Sequence, residues 1–454
     1  MKIDILVAEI GSTTTVVNGF NDFKSNPKFI GQGQAKTSVL DGDVNIGLNE
    51  AILDLAKNLN VETIEYNELL ATSSAAGGLR MTVHGLVYDM TVRAAKEAAL
   101  GAGANIKYIT AGKLRNSDLK KIQEIKPNII LIAGGVDYGE RNTALNNAEI
   151  IGELNLDIPI IYAGNIENHE DIRGVFKDKQ TELYIVDNVY PKIDELNVEP
   201  TRKVIQEVFE KHIVHAQGME NVRKMVTGSI MPTPGAVMEA TQLLYDEIGN
   251  LITIDVGGAT TDVHSITEDS DEISRILLNP EPKLKRTVEG DLGVYINMEN
   301  IVSMVGEEKM TKELQISLEE FNDIILNYKP IPETTLEKKF VEKLTLYATI
   351  TAIKRHCGTL KQIYGPSGKR IIAEGKDLTK VKYIIGTGGP LTQLQIGKSI
   401  LKEIPNSNRG NDLLPSNDIK ILLDNHYIMA SIGVMAKKCP RDALRLLMDS
   451  LKEE

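Results

Sequence analysis

The sequence predicts an α/β fold of two related halves, with a Rossmann-like or flavodoxin-like domain inserted into the surrounding fold. Three observations carry this. An apolar run ending in an acid, a turn of glycines and hydroxyls, and a return strand occur twice, as "ILVAEIGSTTTVVNGF" at 5–20 and "LITIDVGGATTDVHSI" at 251–266. Between them, short apolar strands recur about every 25 residues with helical stretches in between, the rhythm of a parallel α/β unit. The flanking segments instead carry amphipathic helices with apolar residues at helical spacing. The implied limits are 1–85 for the first half, 86–195 for the inserted domain and 196–454 for the remainder.

Along the chain, residues 3–10 read as a strand, followed by the Gly-Ser-Thr-Thr-Thr turn and a return strand through Val17. "GLNEAILDLAKNLN" (47–60) puts Leu48, Ile52, Leu55, Ala56 and Leu59 on one helical face. From residue 86, the helix "TVRAAKEAALGAG" precedes strands at "IKYI" (106–109), "NIILIAGG" (128–135), "IPIIYAG" (158–164) and "ELYIV" (182–186). Helices are expected around 117–125 and 142–154. "TRKVIQEVFEKHIVHAQG" returns the chain to the outer fold as a polar helix. "MPTPGAVMEATQLLYDEIG" (231–249) opens with prolines suited to a helix entrance and ends on Gly249 as its C-cap. After the second turn come the Gly-rich "EGDLG" (289–293), an acidic and largely helical stretch, and the helix "KLTLYATITAIKRHCGTL". A hairpin about "YGPSGKR", the strand "KYIIGTGG" (382–389) and the helix "YIMASIGVMAKK" (427–438) complete the chain.

At 454 residues the chain is too long for one ordinary core. Its 51 basic and 63 acidic residues give a net charge of −12, which argues against a nucleic-acid groove as the main function. No apolar run of about 18 residues occurs, so no membrane span is expected. The acid-bearing start "KIDILVAEI" does not read as a signal peptide. Two cysteines, Cys357 and Cys439, stand in no paired motif and suit a cytoplasmic protein with reduced thiols. His212 and His215 lack a third metal ligand nearby and read as surface residues, while Cys357 reads as buried packing.

The two turns carry the chemistry. Backbone N–H groups at a tight glycine turn offer positive ends and close approach to a phosphate, because no Cβ intervenes. Gly11, Gly257 and Gly258 are the candidates, and the hydroxyls of Ser12, Thr13, Thr14, Thr260 and Thr261 can donate to phosphoryl oxygens. Carboxylates repel phosphate unless a cation stands between, and magnesium does this while keeping several waters. Glu9, Asp255 and Asp262 are therefore candidates for contacting magnesium through water or for polarising an attacking water. Either turn alone reads as an ordinary hairpin; two of the same build suggest a pair facing each other across a phosphate. "GPSGKR" lacks the spacing and hydroxyl of a P-loop. "YIIGTGGPL" (383–391), with Gly386, Gly388 and Gly389 before a helix, offers backbone for an adenosine to lie against.

These elements in this order resemble the actin / hexokinase / heat-shock-70 ATPase superfamily, whose members close two RNase-H-like halves on Mg-ATP. On that pattern "AEIGSTTT" matches the first phosphate motif, "IDVGGATTD" the second and "IGTGGPL" the adenosine motif. "TPGAVMEATQLL" and "MASIGVMAKK" lie where the connecting helices would, and "EGDLGVYIN", with Gly290, resembles the glycine-bearing segment after the second phosphate motif. Within the superfamily the chain is similar to the MutL/GlmL family, accessory proteins of glutamate mutase unrelated to the mismatch-repair protein of that name. "LIAGGVDYGERNTALNNAEII", "IPIIYAGN" and "AIKRHCGTL" support this narrower match.

The resemblance implies an ATPase chaperone that reactivates an adenosylcobalamin-dependent mutase, either glutamate mutase or an ornithine or lysine aminomutase. Its own cofactors would be ATP or ADP with magnesium; cobalamin would be handled through the client enzyme rather than held tightly. Mutase subunits are the implied partners, with no nucleic acid and no membrane, and a homo-oligomer stays open. A small-molecule kinase and an actin-like filament or scaffold protein are the alternatives, since the fold alone decides no function. In the catalytic assignment Asp255 holds the metal-bound or attacking water, with Glu9 and Asp262 in support. Two departures from the family pattern imply slow turnover. Glu9 stands where Asp is usual, displacing the carboxylate by about 1.5 Å, and Thr14, Thr15 and Val16 replace a continuation that ends in lysine. The inserted domain resembles cobalamin-binding domains in strand spacing but has no Asp-x-His-x-x-Gly. Its His84 and His169 read as surface or helix-edge residues, and the domain is expected to dock on the mutase.

Overall fold

The computed structural model describes all residues except 24–25, 39–42, 75–78, 213–224, 228–229, 366–367 and 453–454. Strands β1 (Lys2–Ile10), β2 (Thr14–Asn21) and β3 (Lys28–Lys36) form an antiparallel meander. The helix Val44–Asn58 follows, and then β4 (Glu65–Ser73) beside β1. Next come β5 (Leu79–Gly85), β6 (Ala104–Ala111), β7 (Ile129–Ile132), β8 (Ile160–Tyr162) and β9 (Leu183–Ile185), with four α-helices in the connections. After the helix Glu199–His212, β10 (Ile230–Pro232) leads into the helix Thr233–Ile248. A second antiparallel meander comprises β11 (Leu251–Val256), β12 (Thr261–Ile266) and β13 (Leu284–Glu289). The hairpin β14 (Thr359–Gly365) and β15 (Gly368–Glu374) follows the long helix Thr335–His356. Finally β16 (Tyr383–Thr387) pairs in parallel with β11, and β17 (Lys420–Leu423) with β16.

One strand order arises twice. The second sheet reads β13-β12-β11-β16-β17, which is third-second-first-fourth-fifth. The first reads β3-β2-β1-β4, and β10 pairs in parallel with the last residues of β4, Ala71, Thr72 and Ser73. These are the two RNase-H-like halves expected. A third, wholly parallel sheet has the order β6-β5-β7-β8-β9, the second-first-third-fourth-fifth order of flavodoxin-like sheets.

The chain forms two compact units, 1–70 with 239–454, and 71–238. These limits differ from the 86 and 195 read from the sequence. β5 pairs with both β6 and β7, so the parallel sheet begins before residue 86. A reading that waits for the helix–strand rhythm misses the strand that precedes the first helix. His84, expected at a surface or helix edge, is instead fully buried in β5, because the crossover helices of a parallel sheet cover its faces. Its ring lies 2.8 Å from Thr110 Oγ1 and 3.0 Å from Thr82 Oγ1, and burial pushes the imidazole down to about 4. His215 lies outside the described residues, as does the tip of the β14–β15 hairpin.

In the first unit Ile252, Ile254 and Val263 of the second sheet pack with Phe340, Leu344 and Ala348 of the long helix. Each fully buried aliphatic side chain contributes about 1.5–3 kcal/mol. That helix starts at a capping box, Thr334 with Glu337, and carries Lys354 and Arg355 in its last turn, where the helix dipole favours cations. Cys357 follows it and is buried, as read from the sequence. In the second unit Ile130, Ile132, Ile160 and Tyr162 of the parallel sheet pack against Ala144, Ile151 and Ile172. No helix among the described residues is long and apolar enough to cross a membrane.

Candidate active site

The two turns close identically. Gly11 N–H donates to the Thr14 carbonyl at 2.9 Å, and Gly257 N–H to the Thr260 carbonyl at 2.9 Å. The flanking pairs are Ile10 with Thr15 and Val256 with Thr261, which makes Glu9 and Asp255 equivalent positions. Across from them, Val16 occupies the place that Asp262 holds in the second hairpin. The turns also meet. A Cβ on Gly258 would lie 2.8 Å from Thr13 Oγ1, so only glycine allows this approach without displacing the threonine.

Each turn is braced from behind. Thr37 Oγ1 donates to the Gly11 carbonyl at 2.9 Å and Thr37 N–H to the Thr13 carbonyl at 3.0 Å. In the second hairpin, Val294 N–H and Ile296 N–H donate to the carbonyls of Gly257 and Gly258 at 3.1 and 2.8 Å. Asn297 Nδ2 donates to the Ala259 carbonyl at 2.8 Å. With those carbonyls occupied, the Gly258 and Ala259 N–H groups donate to no backbone carbonyl among the described residues. Such N–H groups at a turn suit an anion.

The carboxylates crowd together beside these turns. Glu9 is buried; Tyr427 Oη donates to its Oε1 at 3.1 Å, while Oε2 has no partner. Burial first, and then the Asp255 charge, push Glu9 up to about 8. Asp255 keeps some accessible surface, yet its surroundings desolvate the carboxylate. With the Asp262 charge, they push it up to about 7 against the opposing pull of Arg286. Asp262, 3% exposed, accepts from Arg286 Nη2 at 2.8 Å and from Thr260 Oγ1 at 3.0 Å. Asp424, fully buried at the end of β17, accepts from Thr387 Oγ1 (3.0 Å), Met429 N–H (2.8 Å) and Ser450 Oγ (2.6 Å). Burial also raises Asp424 above the usual carboxylate range. Four acids and one guanidinium leave excess negative charge in a poorly solvated place, which suits a hard divalent cation. The unpartnered Glu9 Oε2 and Asp255 are the oxygens available to hold its waters. Among the described residues no group of three or more His, Cys, Asp or Glu side chains is placed to bind a metal ion.

These shifts fix the sign of a pH effect. Both folded-state values stand above the unbound carboxyl values of 4.5 for Glu9 and 3.8 for Asp255. At these two carboxyls the folded protein then binds more protons than the unfolded chain, so their contribution to stability falls as pH rises from about 4 through 8. The buried His84, His264 and His356, whose imidazoles are held below their ordinary value of 6.5, work the other way up to that value. The carboxyls' expected loss is on the order of a few kcal/mol, read above about pH 7, where the histidines no longer titrate in either state, as a declining melting temperature that added magnesium partly restores. A melting temperature level across that window would sink this electrostatic account.

Other expected residues divide into those at the cluster and those engaged by the fold. Gly388, at φ +88°, lies against Asp255: a Cβ there would sit 2.7 Å from Asp255 Oδ1 and 2.2 Å from the Val256 carbonyl. Gly389 beside it faces open space apart from Gln393. Gly386 lies within β16 against Leu401 and Leu423, a packing position, and Thr261 Oγ1 donates to the Leu292 carbonyl. Gly290 is exposed, its carbonyl held by Asn297. Ser12 and Thr14 belong to the first turn and its return strand.

Three residues of the cluster escaped sequence reasoning: Arg286, Asp424 and Tyr427. A signal for Asp424 existed. "IKILLD" is an apolar strand ending in an acid, as are "ILVAE" and "LITID". Tyr427 had none, since its role depends on a left-handed backbone at φ +50°.

A family model described as MutL protein matches residues 5–451. "Protein MutL" of Clostridium tetanomorphum is 35% identical over 455 residues, covering 97% of this chain and 98% of its own. Solved structures with some likeness include an acetone carboxylase in nucleotide-free form, at 12% identity and a TM-score of 0.41, covering 96% of this chain and 70% of that one. A glycerol dehydratase reactivase has 10% identity and a TM-score of 0.32, with 95% and 99% covered. The xylulose kinase of Lactobacillus acidophilus has 10% identity and a TM-score of 0.30, with 99% and 91% covered. By the full-length family match and the full-length relative, the chain belongs to the MutL protein family.

Proposed function

We propose that this protein is a slow magnesium-dependent ATPase that serves as a reactivating chaperone for an adenosylcobalamin-dependent mutase. The observation that carries the nucleotide site is the pair of identically closed turns meeting at Thr13 and Gly258, with Glu9 and Asp255 at equivalent positions behind them. The Gly258 and Ala259 N–H groups and the Thr13 hydroxyl would bind phosphoryl oxygens. Bound magnesium would supply positive charge against the phosphates. Asp255, near neutrality at about 7, is poised to accept a proton from an attacking water, which is where a general base works best. Glu9 orients that water through its free oxygen, and Asp262 is charge-balanced by Arg286. Water adds to the terminal phosphorus as the bond to the bridging oxygen breaks, giving ADP and inorganic phosphate. Catalysis of this kind is mainly positioning and electrostatics.

The client is inferred from family membership and the motifs that first suggested it. Glutamate mutase comes first, with ornithine and lysine aminomutases next. The test is phosphate release from ATP with magnesium, with and without a mutase carrying cobalamin that has lost its adenosyl group. Stimulated phosphate release together with released cobalamin is expected. Phosphoryl transfer to an added small molecule would replace this reading with a kinase. ATP-dependent sedimentation would replace it with a filament.

A further inference from the structure

The parallel unit carries a surface that the nucleotide chemistry does not use. Within residues 71–238, every large hydrophobic side chain exposed among the described residues is one of five: Val87, Tyr88, Tyr138, Ile166 and Ile193. Each lies in the segment that follows a strand of the parallel sheet: Val87 and Tyr88 after β5, Tyr138 after β7, Ile166 after β8 and Ile193 after β9. The strands are parallel, so all five stand at one edge, the carboxyl end. Open α/β sheets bind ligands at that end, near the point where strand order reverses; here the reversal falls between β5 and β7. Among the described residues the opposite edge, where the chain enters the strands, carries no such side chain.

These segments are locked rather than loose. Asp137 Oδ1 accepts from Ile166 N–H at 3.0 Å and from Asn188 Nδ2 at 2.9 Å, which joins the segments after β7, β8 and β9. Asn165 Oδ1 accepts from Tyr138 N–H at 3.2 Å, and Asp137 N–H donates to the Pro191 carbonyl at 2.9 Å. Tyr138 is held at φ +63° with 79% of its surface exposed. A tyrosine kept in a left-handed conformation and turned out to water does no packing work, and strain of this kind collects at binding sites. Rigid aromatic anchors on a fixed base are what interface hot spots use.

The charges around the patch choose its occupant. Asp89, Glu140, Asp187 and Asp194 are exposed in the same segments. The basic groups there are partly spent: Lys192 pairs with Glu195 at 3.2 Å and Arg141 with Glu167 at 3.7 Å. A second copy of this chain would bring the same acids against themselves, and nucleic acid would be repelled. We propose that the carboxyl edge of the parallel unit is the surface that docks the client enzyme, through an apolar patch ringed by lysines and arginines on the client. This rests on the chaperone reading for the identity of the client, and it does not depend on which residues hydrolyse ATP.

The test uses the full-length protein and purified glutamate mutase whose cobalamin lacks its adenosyl group, with the aminomutases as alternates. Association is read by calorimetry at two salt concentrations. Tyr138→Gly suits the left-handed backbone and therefore folds, and Ile166→Ser changes a side chain that is 44% exposed. Together they are expected to weaken association at least about 10-fold, with unstimulated phosphate release and melting temperature unchanged. Asp89→Lys with Asp187→Lys is expected to weaken it as well, mostly at low salt. Wild-type affinity retained by both double variants overturns the docking surface and leaves the client reading standing. If the wild-type protein binds none of these enzymes, the client reading falls and takes the docking surface with it.

Discussion

Asp255→Asn is expected to lower phosphate release at least about 100-fold and, at pH 8, to raise the melting temperature of the protein. The two effects come from one charge. Asparagine has the shape of aspartate, so the close contact with the Gly388 backbone is unchanged and no cavity opens. It cannot take a proton from water, which removes the assigned base. It also withdraws one negative charge from a place already holding Glu9, Asp262 and Asp424. Asp255 is the second cause of the rise at Glu9, so its neutralisation lets Glu9 ionise more easily. A group raised to about 7 in the folded state destabilises the fold only above its unfolded value. The gain in melting temperature should therefore be nearly full at pH 8 and vanish below the unfolded value of 3.8, where the carboxyl is protonated in both states. ADP binding through the turn N–H groups should survive. Turnover unchanged in Asp255→Asn would remove Asp255 from the assignment. A lower melting temperature at pH 8 would show that its charge is compensated.

This exchange of stability for function explains what was legible in the sequence and what was not. The hairpins were readable because a tight turn needs its glycines and hydroxyls in consecutive positions, and because Gly11–Thr14 repeats at Gly257–Thr260 with the same closing bond. The strands β6 to β9 were readable from apolar runs bounded by helices. β5 was not, since "LRMTVHG" mixes Arg80 and His84 into a strand that satisfies them with distant partners, Asn128 on the Arg80 backbone and Thr110 on His84. Asp424 and Tyr427 joined the cluster through pairing of β17 with β16 and a hydrogen bond to Glu9, both long-range facts of the fold. Arg286 looked like one more charge in "KLKRTVE". Only the β12–β13 register, which sets it opposite His264 and diagonal to Asp262, turns it inward.

Arg286→Met is accordingly expected to be the most destabilising single change in the second sheet. Arg286 is 2% exposed and its guanidinium pairs with Asp262 at 2.8 Å. Methionine fills much the same volume, so packing changes little. What remains is a buried Asp262 beside Asp255, with the charge that opposed both of them gone. Breaking a buried pair from one side costs about 3–5 kcal/mol, because the orphaned charge keeps its desolvation penalty. Removing both partners should cost far less. Arg286→Met combined with Asp262→Asn is therefore expected to recover most of the loss in urea unfolding, giving a coupling of more than about 2 kcal/mol between the sites. Phosphate release should not return in the double variant, since Asp262→Asn keeps an oxygen for the Thr260 hydroxyl but removes the carboxylate assigned in support of Asp255. If Arg286→Met costs under about 1 kcal/mol, Asp262 is reached by water or by another cation, and the charge balance drawn for the cluster is wrong. If the double variant stays as unstable as the single one, Arg286 acts by packing against β12, and the guanidinium charge is incidental to the fold.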